Sequence, residues 1–177
     1  MTTRILPCGT PLVQNCWVVD DLDAAMANWL ALGVGPFFTL ETRYDDAIYR
    51  GEIVPLECRV GLAQAGPIQI ELIQQTSPGP SAYRDVAPRG GTVFHHMCKI
   101  TDDYAGDAAA LRARGIILAN ELMSGDIPVC YADTRAEIGC MLELIPPAPL
   151  LLDLYALVAG SAKGWDGRDP VRAVPVA

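Results

Sequence analysis

Apolar and polar positions fall into two similar runs along the chain. Val13 to Val19 is mostly apolar, Asp20–Asp21 follows, and an Ala- and Leu-rich stretch ends at Gly33. The same order returns from His96 to Ile100, with Asp102–Asp103, an Ala-rich stretch and Gly115. Setting Gln14–Val34 against His96–Ile116 needs no gap and gives six identities in 21 positions: Cys16/Cys98, Asp20/Asp102, Asp21/Asp103, Ala27/Ala109, Ala31/Ala113 and Gly33/Gly115. Unrelated segments would share about one or two, so the chain reads as an internal repeat.

Each copy predicts a strand followed by a helix of about three turns. The Asp pair supplies an N-cap, because a carboxylate there accepts from N–H groups with no partner inside the helix. The glycine ends the helix, since it takes the left-handed conformation without strain. Farther on, "IQIELI" (Ile68–Ile73) resembles "CMLELI" (Cys140–Ile145). Strands send neighbouring side chains to opposite faces. Ile68, Ile70 and Leu72 therefore oppose Gln69, Glu71 and Ile73, and Cys140, Leu142 and Leu144 oppose Met141, Glu143 and Ile145. The segments between read as further strands, with a turn at Ala65–Gly66–Pro67.

The expected fold class is α+β: two tandem β-α-β-β-β modules, about 11–75 and 92–146, in one domain spanning 11–146. Residues 76–91, rich in Pro and Gly, read as a surface linker. Residues 147–177 form a C-terminal extension, helical over "LLLDLYALVAG" and irregular from "SAKGWDGRDPVRAVPVA" onward.

Composition narrows the partners. Half of the 177 residues are hydrophobic, enough for a real core. The net charge of −8 argues against nucleic acid and against an anionic membrane surface. No stretch reads as a transmembrane span or a secretory signal. The six cysteines, Cys8 among them, contain no C-x-x-C pair. A cytoplasmic protein with reduced thiols is expected. Lysine occurs only twice, so Arg43, Arg50, Arg59, Arg84 or Arg89 would have to serve any anion-binding role.

The only two histidines are adjacent, His95 and His96. On a regular strand only one of them can face a given site. Gln14, Cys16 and Val18 share one face of the first strand, as His96, Cys98 and Ile100 do in its copy. The faces turned away from the helices thus carry Gln14, Glu71, His96 and Glu143, one at each repeat-equivalent place. Polar groups set mid-strand among apolar ones are costly unless paired or ligated. The plain alternative is a core histidine bonded to Glu71 or Glu143. Cys16 and Cys98 read as small core fillers rather than nucleophiles.

The segments "VQNCWVVDDLDAAMANWLALGVGPF", "IQIELIQQ", "FHHMCKITDD" and "GCMLELIPP", in this order, resemble the vicinal oxygen chelate superfamily. That superfamily includes glyoxalase I, methylmalonyl-CoA epimerase, bleomycin resistance proteins and extradiol dioxygenases. The resemblance implies a cup-shaped mixed sheet with a divalent metal held by Gln14, Glu71, His96 and Glu143. His96 would then face the cup and His95 point away. Zinc, nickel, cobalt, manganese and magnesium all suit one nitrogen and three oxygens. The implied activity is a metal-dependent isomerase, epimerase or lyase that abstracts a proton next to a carbonyl through an enediolate-like intermediate. Glu143 would be ligand and base, with Glu71 as its partner carboxylate. The substrate would be a small molecule, in a cup lined by Val18, Ile100, Met141 and Ile145, and the protein a homodimer. The rival reading is a metal-free binding or resistance protein. An iron dioxygenase is disfavoured by Gln14.

Overall fold

The computed structural model describes residues 11–88 and 90–175. The first module runs β1 (Leu12–Val18), α1 (Leu22–Ala31), β2 (Phe37–Tyr44), a small hairpin of β3 (Ile48–Tyr49) and β4 (Glu52–Ile53), β5 (Leu56–Ala65) and β6 (Ile68–Gln75). A short helix α2 (Ala82–Val86) follows. The second module is β7 (Val93–Ile100), α3 (Tyr104–Ala113), β8 (Leu118–Ser124), β9 (Ile127–Ala132), a single turn α4 (Arg135–Ile138) and β10 (Met141–Ile145). Helix α5 (Pro149–Ala162) and β11 (Val171–Ala173) complete the described chain.

The helices start and stop as the repeat implies. Asp21 caps α1 by accepting from Ala24 N–H at 3.0 Å, and Asp103 caps α3 by accepting from Gly106 N–H at 3.0 Å. Gly33 and Gly115 follow with φ of 83° and 80°.

All the strands join one curved, unclosed sheet in the order β11-β2-β5-β6-β1-β7-β10-β9-β8-β3-β4. Its centre is the antiparallel pair β1–β7, and each of these has its own module's last strand, β6 or β10, as a parallel neighbour. The two modules are therefore related by an approximate two-fold axis between β1 and β7. One face of each module packs on its own helix. Leu22 and Met26 of α1 meet Ile70 and Leu72, while Ala108 and Leu111 of α3 meet Leu142 and Leu144. The opposite faces share one core, including Cys16, Val18, Ile73, Cys98, Met141 and Ile145. These are the faces that strand alternation assigned.

Three segments depart from the sequence expectation. The linker is not all surface: α2 buries Ala82 and Tyr83. Ser81 caps α2, and the buried Asn120 side chain accepts from Ala82 N–H at 2.5 Å. The hairpin β3–β4 leaves its own module and pairs with β8 of the other, at Ile48↔Glu121 and Tyr49↔Asn120. Arg50, bridging Asp85 and Asp133, fixes that crossing. The tail expected to be irregular contributes β11, parallel to β2. Three residues show no periodicity, and the pairing comes from the neighbouring edge rather than from the segment itself. Cys8, Arg89 and the reading of the N-terminus before Pro11 lie outside the described residues.

A buried ion pair marks the helix side of β7. Lys99 Nζ lies 3.1 Å from an Asp107 carboxylate oxygen that also accepts from the Thr101 hydroxyl, and Lys99 and Asp107 are both only 4 % exposed. Asp107→Ala should cost about 3–5 kcal/mol in denaturant unfolding, because it leaves a buried ammonium uncompensated. The paired replacement Lys99→Met with Asp107→Leu should recover most of that loss. Equal destabilisation by both proteins would show that the pair contributes net stability.

Candidate functional site

The approximate two-fold axis places the polar strand residues together. In register, β1 sets Gln14 beside Gln69 and Cys16 beside Glu71 of β6. β7 sets His96 beside Met141 and Cys98 beside Glu143 of β10. Cys16 and His96 face each other across the axis. Glu71 and Glu143 therefore reach His96 from opposite sides. His96 Nε2 is 3.3 Å from a carboxylate oxygen of Glu71 and 3.3 Å from one of Glu143.

Those contacts do not satisfy the atoms involved. Among the described residues, four buried side-chain atoms have no hydrogen-bond partner: Gln14 Oε1, Gln69 Nε2, Glu71 Oε2 and His96 Nε2. Gln14 spends its Nε2–H on Gln69 Oε1 at 2.6 Å, which leaves its own oxygen free. Native proteins rarely abandon buried polar atoms, and each such atom calls for an explanation. Here two oxygen acceptors and one ring nitrogen, in one cup with a second carboxylate, are the donor set of a hard or borderline cation. The residues fit a divalent metal. Cys16 adds a soft atom: its Sγ, a Glu71 oxygen and a His96 nitrogen lie within 4.8 Å of one another.

Local electrostatics asks for positive charge. Burial opposes a proton on His96, but Glu143 and Glu71 outweigh it and hold its pKa up to about 9. For Glu143 burial favours the neutral acid, yet His96, Cys98 and Tyr131 together pull the carboxyl below its ordinary value.

His95 does not point away. Cys16 pairs with His96 but Trp17 pairs with Phe94, so His95 is an extra residue in a β-bulge. The bulge breaks the alternation that would send the two rings to opposite faces. His95 Nδ1 lies 2.7 Å from His96 Nδ1, and His95 Nε2 lies 3.0 Å from Ala82 O. A carbonyl can only accept, so His95 Nε2 carries the hydrogen. Burial, with the charge of His96 next, keeps His95 well below its ordinary pKa and hence neutral. Its Nδ1 must then accept from His96 Nδ1–H. In the neutral His96 ring this leaves the Nε2 lone pair facing the carboxylates. The device that locks the tautomer is an outer histidine anchored on α2. His95→Phe should keep the fold and lower the affinity for zinc about 10- to 100-fold, the usual cost of losing an outer-shell partner. Unchanged affinity by competition titration would remove His95 from that role.

Several participants escaped sequence reasoning. Tyr83 donates to the Tyr131 hydroxyl at 3.0 Å, and Tyr131, on β9, is the register partner of Glu143 and helps hold its carboxyl below the ordinary value. The first module has Leu62 at the place of Tyr131, opposite Glu71. The repeat comparison covered only the first and last strands and the helix of each module, so it did not reach that position. Cys16 and Cys98 are buried as expected, yet each thiol also touches a carboxylate, Glu71 and Glu143 respectively. Burial, reinforced by those charges, pushes both thiols well above their ordinary pKa, so neither is a thiolate. The described cysteines are free thiols.

Gln14, Glu71 and Glu143 border one cavity of about 120 Å³, walled by apolar residues and by Tyr83, Tyr131 and Tyr155. Of the four expected lining residues only Ile145 reaches it; Val18, Ile100 and Met141 belong to the packing around it. The candidate anion anchors are engaged elsewhere: Arg43 with Asp45 and Glu57, Arg50 with Asp85 and Asp133, Arg59 with Asp23. Neither these nor Arg84 borders the cavity.

Comparison with known proteins agrees with this architecture. No curated protein matches the chain in sequence. Among solved structures, methylmalonyl-CoA epimerase from Mycobacterium tuberculosis is similar, with 19 % identity and a TM-score of 0.56 over 84 % of this chain and 98 % of that one. A methylmalonyl-CoA epimerase in complex with methylmalonyl-CoA and NH4+ matches at 18 % identity and a TM-score of 0.55, covering 79 % of this chain and 96 % of that one. A Streptomyces coelicolor methylmalonyl-CoA epimerase variant in complex with 2-nitronate-propionyl-CoA gives 18 % identity and 0.55, with the same 79 % and 96 %. At this identity the likeness establishes the fold. The sequence profile of the Glyoxalase/Bleomycin resistance protein/Dioxygenase superfamily matches residues 13–131, more than half of the chain, and the chain belongs to that superfamily.

Proposed function

We propose that the protein is a divalent-metal-dependent isomerase, epimerase or lyase that withdraws a proton from a carbon next to a carbonyl. Gln14, Glu71, His96 and Glu143 would hold the ion. The observation that carries this reading is the Nε2 atom of His96. It is buried without a hydrogen-bond partner between two carboxylates, on a ring whose other nitrogen is already engaged by His95. A bound divalent ion supplies electrostatic stabilisation of negative charge growing on a carbonyl oxygen.

The chain's own groups do the rest. Glu143, kept ionised by its neighbours, takes the proton from carbon and returns it to the same or the adjacent carbon. Tyr131, supported by the Tyr83 hydroxyl, helps keep the Glu143 carboxylate ionised. The apolar wall keeps bulk water from the carbanion-like species. Glu71 balances charge on the opposite side of His96.

Elemental analysis of protein purified without chelator tests the reading, followed by titration with zinc, cobalt and nickel. About one ion per chain is expected. A chain that takes up none would overturn it, leaving His96 as the centre of a core ion-pair cluster and the cup as a binding pocket.

A further inference from the structure

The extension closes the cup from a side the repeat does not supply. Helix α5 lays Leu151, Leu154 and Tyr155 against the cavity. Val158, about one turn on, is fully buried in the core shared by both modules. The extension is tied down again after α5. Val171, Arg172 and Ala173 of β11 pair with Phe37, Phe38 and Thr39 of β2, and Phe37 N–H donates to Pro170 O at 2.8 Å. Between α5 and β11, Trp165 lies on Gly35, where an added Cβ would fall 2.8 Å from the indole. The roof is a fixed part of the fold.

What lies beneath it is small and carries no net positive charge. The cavity is about 120 Å³. A cavity of about 150 Å³ takes one benzene, roughly six non-hydrogen atoms, whereas drug-sized sites span about 300–1,000 Å³. Among the described residues no lysine or arginine borders it, and its charged lining residues are Glu71 and Glu143. A divalent ion between two carboxylates brings their sum to zero. A substrate anion entering there would lose its hydration with no surplus positive charge to replace it. The polar groups on offer besides the acids are amide, thiol and hydroxyl, among them Thr42, Tyr44 and Ser124.

We infer that the site takes a neutral carbonyl compound of about six non-hydrogen atoms, of the 2-hydroxy ketone or dione class, with Leu151 and Leu154 of α5 setting the length limit. This inference rests on the functional reading above and names its substrate class. The pair 3-hydroxybutanone and lactate tests charge at nearly constant shape, and 5-hydroxyoctan-4-one tests length. Zinc-loaded protein with ¹³C-labelled leucine methyls is titrated with each. The Leu151 and Leu154 methyl signals should respond to 3-hydroxybutanone, with lactate and the longer ketone at least about tenfold weaker. Leu154→Ala, alone and combined with Leu151→Ala and read on the methyls of Leu40, Leu62 and Leu122 that border the same cavity, should admit the longer ketone about tenfold better and still refuse lactate. The single variant covers the case in which the double one fails to fold. Lactate binding as well as 3-hydroxybutanone, the long ketone binding the unaltered protein as well as the short one, or no ketone moving these methyls in any variant would each overturn the inference. Deuterium exchange on the same probes separates the two levels. Binding that obeys the size and charge rule without exchange overturns the proton-transfer reading alone. Exchange that ignores the rule overturns the substrate class alone.

Discussion

Glu143→Gln is expected to lower turnover about 10²- to 10⁴-fold, the range for a lost general base, while metal content stays near that of the unaltered protein. The amide keeps the side-chain length and one oxygen that can still reach the site. What it lacks is basicity. Glu143 is only 6 % exposed, lies 3.3 Å from His96 and is the register partner of Tyr131, and His96, Cys98 and Tyr131 together favour its ionised form against burial. Glu71 occupies the matching place in the first module but has Leu62 where Glu143 has Tyr131. On the proposed reading the difference would make Glu143 the better-placed base, and Glu71→Gln should cost less turnover than Glu143→Gln. Hydrogen–deuterium exchange at the carbon next to the carbonyl of small 2-hydroxy ketones measures both. Equal exchange rates in the unaltered protein and the Glu143 variant would take the base role from Glu143. A larger loss in the Glu71 variant would exchange the two roles.

The repeat was the most legible feature of the sequence because it is carried by local rules. A strand alternates, an Asp starts a helix and a glycine ends it, and doing so twice fixes which faces meet. That was enough to put Glu71, His96 and Glu143 in one cup. Features that depend on a partner far away in the chain were not legible. The bulge at His95 exists because β1 and β7 slip register by one residue, and no property of "FHHM" alone specifies that. Tyr83 sits in a segment whose Pro and Gly content reads as a loop, yet the neighbouring Ala82 backbone holds α2 in the interior, its N–H donating to Asn120 and its carbonyl accepting from His95. The roof formed by α5 was visible as a helix, but its destination was not, since β11 anchors it through backbone pairing that any short segment can make. Charge was misleading in one respect. Arg43, Arg50 and Arg59, which stand out in a lysine-poor chain, are spent on ion pairs around the hairpin and the strand edges, and among the described residues no cation borders the cavity.

His96→Ala should abolish tight metal uptake, and its effect should be separable from damage to the fold. If structural zinc contributes about 10–16 kcal/mol over four ligands, losing one costs roughly 3 kcal/mol, or at least about a hundredfold in affinity. That exceeds the 10- to 100-fold expected for His95→Phe, because in the proposed site His96 would supply the donor atom and His95 would only orient it. The metal-free variant should also be less stable than the metal-free parent. Glu71 and Glu143 approach the same ring from opposite sides, and without it two carboxylates in an apolar cup have no counter-charge. Adding Glu71→Gln and Glu143→Gln to His96→Ala removes that repulsion. The triple variant should therefore regain much of the lost stability and still take up no metal. Isothermal titration with zinc and denaturant unfolding of the metal-free proteins read the two effects independently. Retained zinc affinity in His96→Ala would place the ion elsewhere than on this ring. Recovery of metal uptake by the triple variant would show that charge repulsion, and not the missing nitrogen, had expelled it.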